Sequence, residues 1–154
     1  MKKSFTFTLI VSFLFLFTFS SKAQELNLRP TIDHIAIYVV DLDKSTNFYE
    51  NILGLKKISE PFNDGKHTWF ALGSNVQLHL IEGASALKEP DKNSHLSFSV
   101  SSVSSFITVL KKNKIGYENW LGEKQAITNR VDGVKQIYIT DPDGYWLEIN
   151  DAQQ

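Results

Sequence analysis

Along this chain, apolar residues recur at every second position in some stretches and at helical spacing in others. Between Thr31 and Val40, Ile35, Ile37 and Val39 share one side and His34, Ala36 and Tyr38 the other, which is the period of a strand. Asp41 and Asp43 then offer helix N-caps, Phe48, Tyr49, Ile52 and Leu53 recur at helical spacing, and Gly54 supplies a stop, so a helix is expected over about Asp43 to Leu53. Strand-like runs follow at Leu55 to Ile58, Thr68 to Leu72 and Val76 to Ile81, separated by Asn63-Asp64-Gly65 and Gly73-Ser74-Asn75.

After a loop from Gly83 to Asn93 the pattern begins again. His95 to Val100 alternates, and Val103 to Asn113 reads as a helix ending near Gly116. Tyr117 to Trp120, Val134 to Thr140 and Trp146 to Asn150 read as strands, the last two joined by Asp141-Pro142-Asp143-Gly144. A shift of 61 residues lays His34 on His95 and Ile37 on Phe98, and a shift of 62 lays Gly54 on Gly116. The expected class is α+β: two βαβββ modules, about residues 31–83 and 93–151, paired into a curled mixed sheet around a central cavity.

The N-terminus changes what is left to fold. Lys2 and Lys3, an apolar run from Phe5 to Phe19 and the small-residue pattern Ser21-Lys22-Ala23 read as a signal peptide spanning residues 1–23, with a secreted or periplasmic destination. Removing those 23 residues, three of them lysines, leaves 131 in a single domain (24–154) with a net charge of −4 and no basic block. That balance argues against nucleic acid, or a membrane after cleavage, as partner. Without cysteine there is no disulfide, thiolate metal site or cysteine nucleophile, and any metal must use histidine and carboxylate.

Three of the four histidines, His34, His79 and His95, lie in alternating strands, while His67 beside its turn reads as a surface residue. Glu148 alternates with Leu147 and Ile149, and a carboxylate so placed must be solvated, paired or ligating. Leu78-His79-Leu80 matches Leu147-Glu148-Ile149, pairing His79 with Glu148 as His34 pairs with His95. These four side chains suit Zn²⁺, Ni²⁺, Co²⁺, Mn²⁺ or Fe²⁺. Gln77, two residues before His79 on the same face, is the alternative fourth ligand. Taken singly, each histidine also fits an ordinary core or surface role. Tyr38, Trp69, Phe70 and Tyr138 are candidates for a pocket wall or for plain core, and Arg130 for steering an anion or for a solvated surface position.

Asp33-His34-Ile35-Ala36-Ile37, Asn47 through Leu55, Ser94 through Val100 and Asp141 through Ile149 together resemble the vicinal oxygen chelate superfamily, over about Ile32 to Asp151. That superfamily includes glyoxalase I, fosfomycin resistance enzymes, methylmalonyl-CoA epimerase, extradiol dioxygenases and bleomycin-binding proteins. The resemblance implies that His34, His95 and Glu148 are metal ligands. Gln77 and His79 stand where glyoxalase I has a glutamate, a departure from its proton-shuttling pair. The implied activity is that of a metal-dependent lyase or isomerase, lactoylglutathione lyase-like, acting on a small α-oxygenated molecule, with Glu148 as general base. The alternatives are a non-catalytic binding protein for an antibiotic or metabolite and, third, an extradiol-type dioxygenase. The resemblance also makes a homodimer an expected state.

Overall fold

Each βαβ corner is built from the same local chemistry. In the first module β1 (His34–Val39) leads into α1 (Leu42–Asn51), where the Asp41 side chain accepts from the Lys44 amide and caps the helix. In the second, β5 (His95–Ser99) leads into α2 (Val103–Lys112), capped in the same way by Ser102 through the Ser105 amide. Gly54, at φ +71°, takes the left-handed position just beyond α1. After α2 that position falls to Lys114, at φ +57°, and not to Gly116.

This computed structural model describes residues 29–86 and 90–153; the segment read as a signal peptide lies outside the described residues. Thr31–Gln154 form one compact unit. Between the two helices run β2 (Lys56–Ile58), β3 (His67–Leu72) and β4 (Val76–Glu82); after α2 come β6 (Thr128–Asn129), β7 (Lys135–Thr140) and β8 (Trp146–Asn150). Two four-stranded sheets result, in the orders β1-β4-β3-β2 and β5-β8-β7-β6. Each has one parallel pair, β1 with β4 and β5 with β8, and is otherwise antiparallel. The chain is therefore α+β with two unclosed mixed sheets, each edged by the first strand of its module.

One expectation needs correction. Tyr117 to Trp120 is not a strand of the second sheet; it touches β7 only through an isolated bridge between Glu118 and Tyr138. The chain turns back there, because Glu118 also bridges Lys124, the Gly122 amide closes on the Asn119 carbonyl, and Gln125 adopts φ +57°. The short β6 takes the outer edge instead.

The core is shared by both modules. Ile37, Val39, Phe70, Leu78 and Leu80 from the first sheet join Ile137, Ile139, Leu147 and Ile149 from the second, with Phe48 and Tyr49 of α1 and Val103, Ile107 and Leu110 of α2. Burial of these apolar faces is the main stabilising contribution. A polar clasp fixes their orientation. The Tyr49 hydroxyl donates to Asp141 Oδ2 at 2.7 Å, the Ser45 hydroxyl donates to Asp143 Oδ2, and the Val40 amide donates to Asp143 Oδ1 at 2.8 Å. Asp141 also accepts the Asp143 and Tyr145 amides, closing its own turn. The Asp-Pro-Asp-Gly turn is thus what fastens the second module to the β1–α1 corner of the first.

Removing the Tyr49 hydroxyl tests the clasp. Tyr49→Phe leaves a buried carboxylate short of one donor and is expected to lower stability by about 1.5–3 kcal/mol, read as a reduced urea midpoint with an unchanged slope.

Candidate functional site

Because strand residues alternate, the side chains between the core positions all emerge on the opposite face of each sheet. On the first sheet that face carries His34, Ala36 and Tyr38 from β1, Gln77 and His79 from β4, and His67 and Trp69 from β3. On the second it carries His95 and Ser97 from β5, Tyr138 and Gln136 from β7, and Glu148 and Asn150 from β8. Register makes the two faces equivalent. His34 lies opposite Gln77 and Ala36 opposite His79, just as His95 lies opposite Trp146 and Ser97 opposite Glu148; Trp69 pairs with His79 as Tyr138 pairs with Glu148. Trp69/His79/His34 and Tyr138/Glu148/His95 therefore occupy corresponding positions.

In the second module these positions form a hydrogen-bonded centre. His95 Nδ1 lies 2.7 Å from the Lys92 carbonyl, which only accepts, so Nδ1 carries the proton. Nε2 then faces Glu148 Oε2 at 3.5 Å. The Tyr138 hydroxyl donates to Oε2 at 2.6 Å, while Ser97 and Asn150 donate to Oε1 at 3.1 and 2.8 Å. Burial pushes the Glu148 carboxyl up, but these three donors and the neighbouring imidazole outweigh it and hold the group below the usual carboxylate range. Tyr138 is itself held by Gln136 Nε2 at 2.8 Å, and burial, then the hydrogen bond to Glu148, raises its hydroxyl pKa.

The first module arranges its triplet by stacking. The His79 ring lies 3.9 Å from Trp69 at 4° and 4.3 Å from His34 at 11°, forming a three-ring column. His79 Nε2 is 2.8 Å from Gln77 Oε1, and His34 Nδ1 is 2.7 Å from Asp33 Oδ2. An imidazole lone pair lies in the ring plane, so two nearly parallel rings at this spacing cannot both aim at one point. Burial, and then the proximity of His34, lowers the His79 pKa and favours its neutral form.

Of the candidate ligands, His95 comes together with Glu148, and His34 with Gln77 and His79. Among the described residues no three ligand-type side chains gather around one point. Tyr38 is half exposed on the outer face beside Gly83, where a Cβ would strike its hydroxyl. Phe70 needs correction as a pocket residue: next to Trp69 in β3 it must point the other way, and it is fully buried against Tyr49. Arg130 pairs with Asp132 at 2.6 Å in the β6–β7 turn. Sequence reasoning missed Ser97 and Asn150, although both share the face of Glu148 by period, and it missed Lys92, which acts through its backbone.

The donor set fits a divalent cation. His34 and His95 both engage Nδ1 with an acceptor and leave Nε2 open, and Glu148 keeps a full negative charge among neutral donors.

Comparison with known proteins places the chain in a family. The model of the Glyoxalase/Bleomycin resistance protein/Dioxygenase superfamily matches residues 31–149. Glyoxylase I 4 of Arabidopsis thaliana is 27% identical over 125 residues, 77% of this chain and 69% of that protein. Metallothiol transferase FosB of Staphylococcus saprophyticus is 30% identical over 127 residues, 78% of this chain and 76% of that one. The crystal structure of a glyoxalase/dioxygenase from Nostoc punctiforme superposes with a TM-score of 0.63 at 26% identity, covering 83% of this chain and 94% of that one.

The hydrogen-bond account of Glu148 predicts a direction. Tyr138→Phe removes the donor with the largest lowering effect, so the Glu148 carboxyl pKa rises; a carboxylate NMR titration of the metal-free protein, wild type against variant, reads the shift.

Proposed function

The chain belongs to the Glyoxalase/Bleomycin resistance protein/Dioxygenase superfamily, and on that premise we propose that it is a metal-dependent lyase or isomerase acting on a small α-oxygenated substrate. The observation that carries this reading is the His95–Glu148 pair, an open imidazole nitrogen 3.5 Å from a carboxylate kept ionised by neutral donors. His95 and Glu148 hold the cation together with His34. Gln77, directly beside His34 in register, is the further oxygen ligand, with His79 orienting its amide.

Because the two ligand groups lie on separate sheets, each facing away from the shared core, the ligand set is completed by a second copy of the chain. One protomer supplies His95 and Glu148, and its partner supplies the β1–β4 group. Support comes from the register equivalence of the groups and from β1 and β5 standing as the edge strands of their sheets. A twofold dimer has two such sites.

A cation held there would supply Lewis acidity to an oxygen-bearing substrate. Glu148 takes the α-proton on Oε2, the oxygen that Tyr138 already holds, and returns it to the neighbouring carbon of the substrate to complete the isomerisation. With its carboxyl below the ordinary range, Glu148 is a better ligand than base, and the transfer is driven by acidification of the substrate. The segment at residues 1–23, read as an export signal, points to a substrate other than a cytoplasmic glutathione conjugate.

Purified protein is expected to contain divalent metal by elemental analysis, to lose it in His95→Ala and Glu148→Ala, and to isomerise an α-oxoaldehyde hemithioacetal or a related α-oxygenated compound when Ni²⁺ or Zn²⁺ is restored. Metal without turnover on any such compound rejects the lyase/isomerase assignment; ligand binding by metal-free protein would instead support a non-catalytic binder.

Site sharing has its own readout. His34→Ala and His95→Ala are each expected to be inactive, while unfolding and refolding them together in equal amounts restores about one site in four, because mixed dimers carry one intact site of two. No recovery on mixing rejects the shared site.

A further inference from the structure

The nitrogen that His95 leaves open is decided by a contact to a backbone carbonyl, and that carbonyl belongs to an unusually confined lysine. The Lys92 ammonium forms an ion pair with Glu118 Oε1 and lies 3.4 Å from the carbonyls of both Asn119 and Trp120. It also sits 4.8 Å from the centroid of the Trp146 ring and 5.5 Å from that of Tyr138. Glu118 is buried, takes a second lysine, Lys124, on its other oxygen, and exchanges both backbone hydrogen bonds with Tyr138. Trp146 Nε1 adds a bond to the Pro90 carbonyl at 3.1 Å, so the approach to β5 is tied down at residues 90 and 92.

His95 has a competing option. With its proton on Nε2, the ring could donate to Glu148 Oε2, which lies 3.5 Å away; this would consume both the open nitrogen and an oxygen of the carboxylate. The 2.7 Å bond from Nδ1 to the Lys92 carbonyl excludes that arrangement only while the carbonyl stays where it is.

We propose that Lys92 is a positioning residue for the His95–Glu148 centre: its side chain, clamped by Glu118 and by the faces of Trp146 and Tyr138, holds its carbonyl on His95 Nδ1 and so selects the tautomer whose Nε2 is free. The tautomer claim stands on the metal-free protein; its consequence for ligation rests on the metal-site reading above.

The experiment records long-range ¹H–¹⁵N imidazole spectra of the metal-free protein at mildly alkaline pH, with His95→Gln to assign the His95 signals, and then titrates each protein with Zn²⁺ alone. In the wild type, Nδ1 of His95 is expected to be protonated and Nε2 bare. Lys92→Met is expected to move His95 toward mixed tautomers and to weaken Zn²⁺ binding roughly 10- to 100-fold, with Lys92→Arg restoring much of both. Glu118→Gln, which keeps the lysine but removes the charge that clamps it, is expected to give an intermediate tautomer shift and serves where Lys92→Met does not fold. Lys124→Met, which leaves the Lys92 clamp in place, is expected to leave the tautomer unchanged. A wild-type His95 protonated on Nε2, or a pure Nδ1–H tautomer persisting in both Lys92→Met and Glu118→Gln, overturns the proposal. Tautomer shifts as expected in a protein that binds no Zn²⁺ would uphold the positioning role and reject the metal site.

Discussion

Two buried carboxylates on one turn govern the arrangement of everything else. Asp141 and Asp143 are almost fully enclosed, and burial raises the Asp141 carboxyl despite the Tyr49 hydroxyl and the two amides that donate to it. Enclosed acids are tolerated only where donors replace lost water, and here Tyr49, Ser45 and the Val40 amide come from the other module. The turn therefore finds its partners only when the β1–α1 corner of the first module lies against it. That docking merges the two helix-covered faces into one core, and alternation along each strand then obliges the histidines and Glu148 to emerge on the faces turned away from it. The separation of the two candidate ligand groups within a chain follows from the clasp and from this alternation.

The duplicated modules keep one register and fill it with different chemistry. Where the first has an indole against an imidazole, the second has a phenol against a carboxylate. Stacked rings stabilise one another through their faces and leave in-plane lone pairs nearly parallel, whereas hydroxyl and amide donors converge on two carboxylate oxygens and keep them charged. One half of the repeat thus presents nitrogen and amide donors and the other an anionic oxygen beside an imidazole. The mixed ligand set proposed above would need both halves, and neither half alone carries all its members.

Much of this was legible in the residues. Alternation and turn-bounded apolar runs located seven of the strands, and the 61-residue shift identified corresponding histidines; the ladder register places His79 and Glu148 at corresponding positions of the two modules. Alternation assigns a side chain to a face but says nothing of what lies opposite that face, so whether the sheets close on each other was not readable. Nor was the job of the Asp-Pro-Asp-Gly turn, because a turn motif specifies its own backbone and not the distant tyrosine and serine that satisfy its carboxylates. Tyr117 to Trp120 reads as a strand because Tyr117 and Trp120 are strand formers, and the backbone pairings that fold the chain back at Gly122 depend on Lys124 and Glu123 beyond it. Trp69 and Phe70 were grouped as one wall, although adjacent strand residues cannot share a face.

Charge placement in the second module is compatible with the cation proposed at Glu148. A cation near a buried carboxylate would pair with it if given the geometry, and the Lys92 ammonium, 5.5 Å from the Tyr138 ring centroid, is not far from the hydroxyl that holds Glu148. That ammonium is instead committed to Glu118, which draws in Lys124 as well. Glu148 is surrounded by a phenol, an alcohol and an amide, groups that lower its proton affinity without cancelling its charge. Dividing the lysines to Glu118 and the neutral donors to Glu148 leaves Glu148 without a lysine partner, facing the open nitrogen of His95.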